Sequence, residues 1–319
     1  MRPPEDAELV AALDLTAPVT SIVRAPYGYA TSFAMEEVQV TLADGRVLDL
    51  LLKDLAWDRL LPEAAATKPL ALYDPLREID AYRRLLAPAG IGPPLAGARA
   101  DGDGCWLLLA KVPGIELWQV GDPAVWQGVA AWLARFHGRF AGKLDEVRAA
   151  HPRLLELDRR SDTALLTRAR EVLVASAHPL ALDLVRALER GDAVVERLAG
   201  LTPAFVHGEL YPSNVLVASG PPLRVWPVDW EMAAIGPPAR DVAALTTGWE
   251  PDLRSAMLSA YADACEHPLP LDELAAQVDL CSLQLALQWI GWSETWEPPA
   301  EHARDWVAEA LAAATRLGL

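Results

Sequence analysis

The chain has 319 residues, with 28 basic against 44 acidic side chains and a formal net charge of −16. So acidic a balance argues against nucleic acid or an anionic membrane surface as the main partner, because both are bound through basic patches. With 52% hydrophobic and 23% charged residues, the composition is globular, and the length suits two packed units that need neither disulfides nor a structural metal.

Along the chain, Glu5, Asp6, Glu8 and Asp14 occupy the place where a signal peptide would need a basic start and an apolar middle. No apolar run reaches the roughly 18 residues of a membrane span, so a soluble cytoplasmic protein is expected. Val38, Val40 and Leu42 alternate with polar residues, Asp44-Gly45 signals a turn, and Val47 to Leu52 resumes the apolar pattern. This predicts an antiparallel hairpin ending at Lys53. A helix is predicted from Asp74, with Asp74 as cap, Pro75 in the first turn and Ile79, Tyr82 and Leu86 on one face, stopped by Pro88-Ala-Gly90. A short buried strand, Cys105 to Ala110, leads into Val112-Pro-Gly114. Asp122-Pro123 then opens a helix through Phe140, and further helical patterns lie near 163–176, 180–199, 252–264, 271–290 and 301–316. They are interrupted at 204–230 by two strand-like runs, Val215–Val217 and Leu223–Val228, joined by the turn cluster Ser219-Gly-Pro-Pro222. The expected architecture is a small β-rich lobe, residues 1–112, and a larger helical lobe, 113–319, holding one hairpin.

Many chemistries are absent. Cys105, Cys265 and Cys281 are odd in number and far apart, and no C-x-x-C, H-E-x-x-H, G-x-x-x-x-G-K-[ST] or G-x-S-x-G occurs. The informative stretch is Phe205-Val-His-Gly-Glu-Leu-Tyr-Pro-Ser-Asn-Val-Leu-Val217, followed by Val225-Trp-Pro-Val-Asp-Trp-Glu231. A hairpin between the two runs would turn Asn214 and Asp229 toward one point. An amide oxygen and a carboxylate there suit Mg²⁺, which takes few protein oxygens and the rest from phosphate and water. Glu209, just before Asn214, could orient an attacking hydroxyl and accept its proton. Lys53, one of four lysines among 28 basic residues, could supply the cation for phosphates, with Glu78 as its partner. Each residue also has a plainer reading: a surface lysine, an exposed helix acid, a turn cap at Asp229, a turn asparagine at Asn214, and a core histidine at His137.

Together these residues resemble the phosphotransferase enzyme family that includes aminoglycoside phosphotransferases and is related to choline kinases. The resemblance rests on His207-Gly208-Glu209 with Asn214, on Asp229-Trp230-Glu231, and on Gly236-Pro237 ahead of Asp241-Val242-Ala243. It implies a bilobal, protein-kinase-like α+β fold. It also implies an ATP-dependent (or GTP-dependent) and Mg²⁺-dependent enzyme that moves the γ-phosphoryl group to a hydroxyl of a small molecule, of the aminoglycoside, sugar or amino-alcohol type. On that resemblance Lys53 contacts the phosphates with Glu78 as its helix partner, and Ala110 and Val112 line the hinge for the base. Ser32, in the turn Tyr29 to Phe33, covers the phosphates, Asn214 and Asp229 hold magnesium, and His207 and Asp241 brace the loop.

One position departs from the family pattern: Glu209 stands where the family has aspartate. Either Glu209 serves as the base, or the chain is a weak or silent nucleotide binder acting by interaction. Transfer of another group, such as adenylylation, is a further alternative, and no activation-loop-like segment after Asp229 favours a protein substrate. Trp289, Trp292 and Trp296, near Glu294 and Glu297, read as packing between the last helices or as a cation-binding cluster. Asp101-Gly-Asp-Gly104 reads as a turn. The negative charge is uneven: residues 205–319 carry net −11, residues 113–204 are neutral and residues 1–112 carry −5. That distribution points mildly to a cationic acceptor.

Overall fold

In a computed structural model that describes residues 3–28, 32–62, 64, 72–101, 104–292 and 304–319, the alternating apolar residues of the first third form a five-stranded sheet. Its strands are β1 (Val19–Pro26), β2 (Met35–Leu42), β3 (Val47–Asp54), β4 (Leu95–Asp101) and β5 (Gly104–Ala110), in the order β1-β2-β3-β5-β4 with antiparallel neighbours. Val38, Val40, Leu42, Leu50, Leu52, Trp106 and Leu108 share one face and close over Leu9 of helix α1 (Asp6–Ala12). Because strand side chains alternate between faces, Lys53 falls on the face opposite Leu50 and Leu52, in register with Leu107. The predicted hairpin is present, with Gly45 at φ +87° in its turn. Strand β1 and helix α1 carry no comparable sequence signal, since β1 is half exposed and does not alternate cleanly.

Helix α2 (Pro75–Ala81) starts where expected: the Asp74 carboxylate accepts the backbone N–H of Leu76. It continues through a π-helical turn, Tyr82–Leu86, and ends at Gly90, whose left-handed φ of +66° lets the chain leave.

The chain divides into two compact units. The first is Met1–Gly114 together with Ala150–Arg153 and Trp226–Glu231; the second is Ile115–Ala149, Leu154–Val225 and Met232–Leu319. A single cut after residue 112 therefore misses two short segments that return to the first unit, and Asp229 belongs there with Lys53. Arg77 explains the return. Its buried guanidinium donates to the carbonyls of Leu72, Arg153 and Glu231, and its own carbonyl meets His151 Nε2 at 3.0 Å. One five-donor side chain thus serves three separate stretches of backbone.

The second unit contains β6 (Ile115–Glu116), α3 (Pro123–Phe140), α4 (Leu144–Ala150), β7 (Leu155–Glu156), α5 (Arg159–Ala175), α6 (Ala181–Ala187) and α7 (Gly191–Ala199). After these come β8 (Ala204–Val206), β9 (Val215–Ala218), β10 (Arg224–Pro227), β11 (Ala234–Gly236), α8 (Ala239–Thr246), α9 (Pro251–Ala264), α10 (Leu271–Trp292) and α11 (Trp306–Arg316). Helix α3 packs on α9, and α10 packs on α5, α8 and α11. Strand β9 pairs with β6, and β11 lies between β7 and β8. The helical run predicted near 180–199 is broken at Leu188–Arg190, before Gly191 meets Leu166 so closely that a Cβ would lie 2.4 Å from its side chain. Among the described residues, no helix is long and apolar enough to cross a membrane.

The α1 face of the sheet is the first unit's core. Leu52→Ala is expected to cost about 2–5 kcal/mol by urea unfolding, from lost burial plus the cavity left behind.

Candidate active site

In the first unit the ammonium of Lys53 lies 2.7 Å from Glu78 Oε2 and 2.5 Å from Asp229 Oδ1. Period-two alternation aims Lys53 at helix α2, and helical spacing brings Glu78 to it. Glu78 Oε1 also accepts the backbone N–H of Trp230 at 3.2 Å, so one carboxylate holds both the lysine and the chain beside Asp229. Asp229 itself has φ +63°, the one non-glycine residue with positive φ among those described. An L-residue adopts that conformation at a cost, and such strain is typical of functional positions.

Burial alone would lower the pKa of Lys53, but the charges of Asp229, Glu78 and Glu231 outweigh it and hold the amine protonated, above the ordinary lysine value. Burial pushes the Glu78 carboxyl up, against the opposing charge of Lys53 and with the repulsion of Asp229 added. Three carboxylates thus act on one ammonium, an excess of negative charge that a divalent cation would relieve.

Ser32 is not directed to a free loop face: its hydroxyl donates to Glu231 Oε1 at 3.0 Å. Tyr29, Ala30 and Thr31 of the same predicted turn lie outside the described residues. Ala110 ends β5 with its N–H donated to the carbonyl of Pro94, and Lys111 N–H is donated to that of Asp49. Val112 follows directly, half-buried.

In the second unit the loop between β8 and β9 is fastened from below. The fully buried carboxylate of Asp241, in the first turn of α8, accepts the backbone N–H of His207 at 2.8 Å and of Gly208 at 2.9 Å. His137 Nε2 lies 3.1 Å from the same carboxylate, and its Nδ1 lies 2.9 Å from the Tyr261 hydroxyl. The ring thus bridges the carboxylate through Nε2 and the Tyr261 hydroxyl through Nδ1. His137 is therefore more than a core histidine; nothing in the local sequence marks it, since its partner is 104 residues away.

Gly208 has φ +87°, and a Cβ there would lie 2.2 Å from the Met232 carbonyl oxygen, so only glycine fits. Beyond it, Glu209 N–H is 3.4 Å from His207 Nδ1, and Tyr211 N–H and the Asn214 side-chain amide both donate to the Glu209 carbonyl, at 2.8 and 3.0 Å. With its amide nitrogen committed in this way, Asn214 has an oxygen left to offer. Trp289 Nε1 donates to the Tyr211 hydroxyl at 2.6 Å. Trp289 also stacks on Trp306 with an interplanar angle of 7°, and with Trp292 it is buried. These two tryptophans are core; Trp296, Glu294 and Glu297 lie outside the described residues, as does the middle of Asp101–Gly104.

Residues 34–275 match the sequence profile of the phosphotransferase enzyme family. The chain belongs to that family. It is similar to viomycin phosphotransferase of Streptomyces vinaceus, with 32% identity over 233 residues, covering 70% of this chain and 75% of the relative. The fold matches that of the choline kinase LicA of Streptococcus pneumoniae with a TM-score of 0.60 at 15% identity, covering 93% of this chain and 94% of that one. It also matches the GDP complex of wild-type aminoglycoside 2′-phosphotransferase-IIIa with a TM-score of 0.59 at 18% identity, covering 95% and 93%. This phosphotransferase thus has the mixed α+β, kinase-like fold that the loop motifs led us to expect.

The pKa of Asp241 lies below its ordinary value. Burial opposes the charge, but the hydrogen bond and charge of His137, the charge of His207 and the His207 N–H outweigh it. A carboxyl whose pKa is lower folded than unfolded stabilises fully above the unfolded value and ceases to do so as pH falls through the folded one. Asp241→Asn is therefore expected to cost about 2–4 kcal/mol at neutral pH by urea unfolding. Its deficit relative to the parent should shrink as pH drops below about 4.

Proposed function

We propose that this phosphotransferase is a nucleoside-triphosphate-dependent small-molecule kinase that moves the γ-phosphoryl group to an acceptor hydroxyl. The observation that carries this reading is the buried Lys53 ammonium shared by Glu78 and Asp229. A lysine so held is a fixed, fully charged donor for phosphate oxygens, while Asp229 stands beside it in a strained conformation.

Each candidate ligand, taken within its own unit, has donor chemistry that suits magnesium. Asp229 and Asn214 offer hard oxygen donors, and the first unit's site carries excess negative charge around its single ammonium. Magnesium takes few protein ligands and completes its shell with phosphate and water. Bound with nucleotide, the ion would neutralise the phosphate oxygens and favour charge moving to the leaving group.

Glu209 is the proposed base. Its carboxylate accepts the acceptor's hydroxyl proton as the oxygen forms its bond to the γ-phosphorus and the bond to the β–γ bridging oxygen breaks, leaving the nucleoside diphosphate. ATP is the proposed donor; GTP is a second donor to test, since a solved structure of the same fold holds GDP. For the acceptor, a cavity of about 220 Å³ borders Tyr211, Pro212 and Ser213 and is walled by Trp118, Trp126, Trp249 and Trp306. The charged residue in its lining is Arg304, so an acceptor amine would rest on the aromatic faces and not on a carboxylate. The viomycin phosphotransferase relative adds viomycin to the amino sugars and amino alcohols as an acceptor to try.

The test is turnover of ATP and of GTP over viomycin, amino sugars and amino alcohols, with product mass. A gain of one phosphoryl group supports the reading, and a nucleotidyl gain replaces it with adenylylation. Glu209→Gln should lower kcat by more than about tenfold and leave nucleotide affinity within a few-fold; unchanged kcat removes Glu209 as base. Nucleotide binding without turnover on any acceptor would favour a silent binder, the reading that Glu209 in place of aspartate keeps open. Asp229→Ala should abolish magnesium-dependent nucleotide binding in calorimetry, and normal binding would refute its role.

A further inference from the structure

Glu209 carries one methylene more than the aspartate of the family pattern, and the second unit contains a buried polar arm that ends on it. Gln288 Nε2 donates to Glu209 Oε1 at 3.2 Å. The Gln288 carbonyl oxygen accepts from Arg240 Nη2. Arg240 is only 2% exposed, donates through Nε to the Gly208 carbonyl at 3.1 Å and through Nη1 to Gln284 Oε1 at 2.7 Å. Gln284 in turn donates to Asp162. A guanidinium has donors and no acceptor, so both glutamines must turn their oxygens toward Arg240. Their NH₂ groups then point the other way, Gln284 to Asp162 and Gln288 to Glu209. Gln284 and Gln288 are four residues apart on α10, which places both amides on one helix face in front of Arg240.

We propose that Gln288, with its amide oriented by Arg240, is a positioning residue for Glu209 and makes glutamate the working length at this site. Shortening the side chain by one C–C bond, about 1.5 Å, draws the carboxylate back from the amide and lengthens a contact already at 3.2 Å beyond hydrogen-bond range. The arm therefore suits glutamate and not aspartate. This inference rests on Glu209 being the base.

The test uses the full chain and steady-state kinetics with the best acceptor of the panel above. Gln288→Glu keeps an oxygen for Arg240 and replaces the donor facing Glu209 by a second carboxylate. It should keep the thermal midpoint and the nucleotide KM while kcat falls by about tenfold or more. Glu209→Asp should also lower kcat, and in that background Gln288→Glu should change kcat by less than about twofold, because the contact is already lost. Gln288→Met, which keeps length and has no donor, carries the same expectations if Gln288→Glu does not fold.

Equal losses from the Gln288 change in both backgrounds, or an aspartate enzyme faster than the parent, overturn the proposal. So does a Gln288→Glu enzyme with parental kcat. In each of these cases a dead Glu209→Gln leaves the base reading standing. If Glu209→Gln retains parental kcat, or the parent turns over no acceptor, the base reading fails and the positioning role falls with it.

Discussion

The carboxylate of Asp241 is buried without contact to water, yet it accepts the backbone N–H groups of His207 and Gly208 and faces the ring of His137. Buried charge is tolerated only when paired or well hydrogen-bonded, and here the bonds are what give the loop its shape. Two consecutive N–H groups aimed at one carboxylate require the tight turn that Gly208 alone can make, against the Met232 carbonyl. Glu209, Tyr211 and Asn214 then follow in an order set by backbone bonds rather than by side-chain choice. Arg240, next to Asp241 in sequence, takes the Gly208 carbonyl from the same side. Adjacent residues on α8 therefore hold both the donors and an acceptor of the loop.

A comparable economy governs the first unit. The Lys53 ammonium collects Glu78 from a helix and Asp229 from a segment far along the chain, while Arg77 holds the carbonyls of Arg153 and Glu231. The ion pairs alone do not make a stable core, because removing charges from water is costly. Their value lies in placing donors and carboxylates at fixed points, and the apolar face of the five-stranded sheet supplies the stability that permits it. The two clusters have opposite logic. Asp241 is over-supplied with donors and stays ionised; Lys53 is over-supplied with carboxylates and stays protonated.

Much of this was legible in sequence. Val38, Val40 and Leu42 around Asp44-Gly45 specify a hairpin by alternation and turn chemistry, and Asp74 and Asp122 each cap a helix opening with proline. The pairing of Lys53 with Glu78 was also anticipated, because it joins a strand end to the next helix. What escaped included helix α1, strand β1, whose half-exposed face lacks period-two contrast, and the two- and three-residue strands β6, β7, β8 and β11, too short for any period. His137, Arg240, Gln284 and Gln288 escaped for another reason. Each has an ordinary helical context, and its role is defined wholly by a partner many residues away.

Local sequence thus determined which residues are the candidates for the chemistry: a lysine at a strand end, a glutamate on the next helix, and the His-Gly-Glu and Asp-Trp-Glu stretches. Alternation, capping and turn preference act over a few residues and are written in the chain. Tertiary structure decided what holds them. It sent Trp226–Glu231 back to the first unit, so that Asp229 shares the Lys53 ammonium. It also placed Gln288 against Glu209 across 79 residues of chain. Such contacts depend on how separate elements pack, and no local preference encodes them. The −16 charge with which the chain first presents itself matters here through a few buried carboxylates, each given its partner by packing.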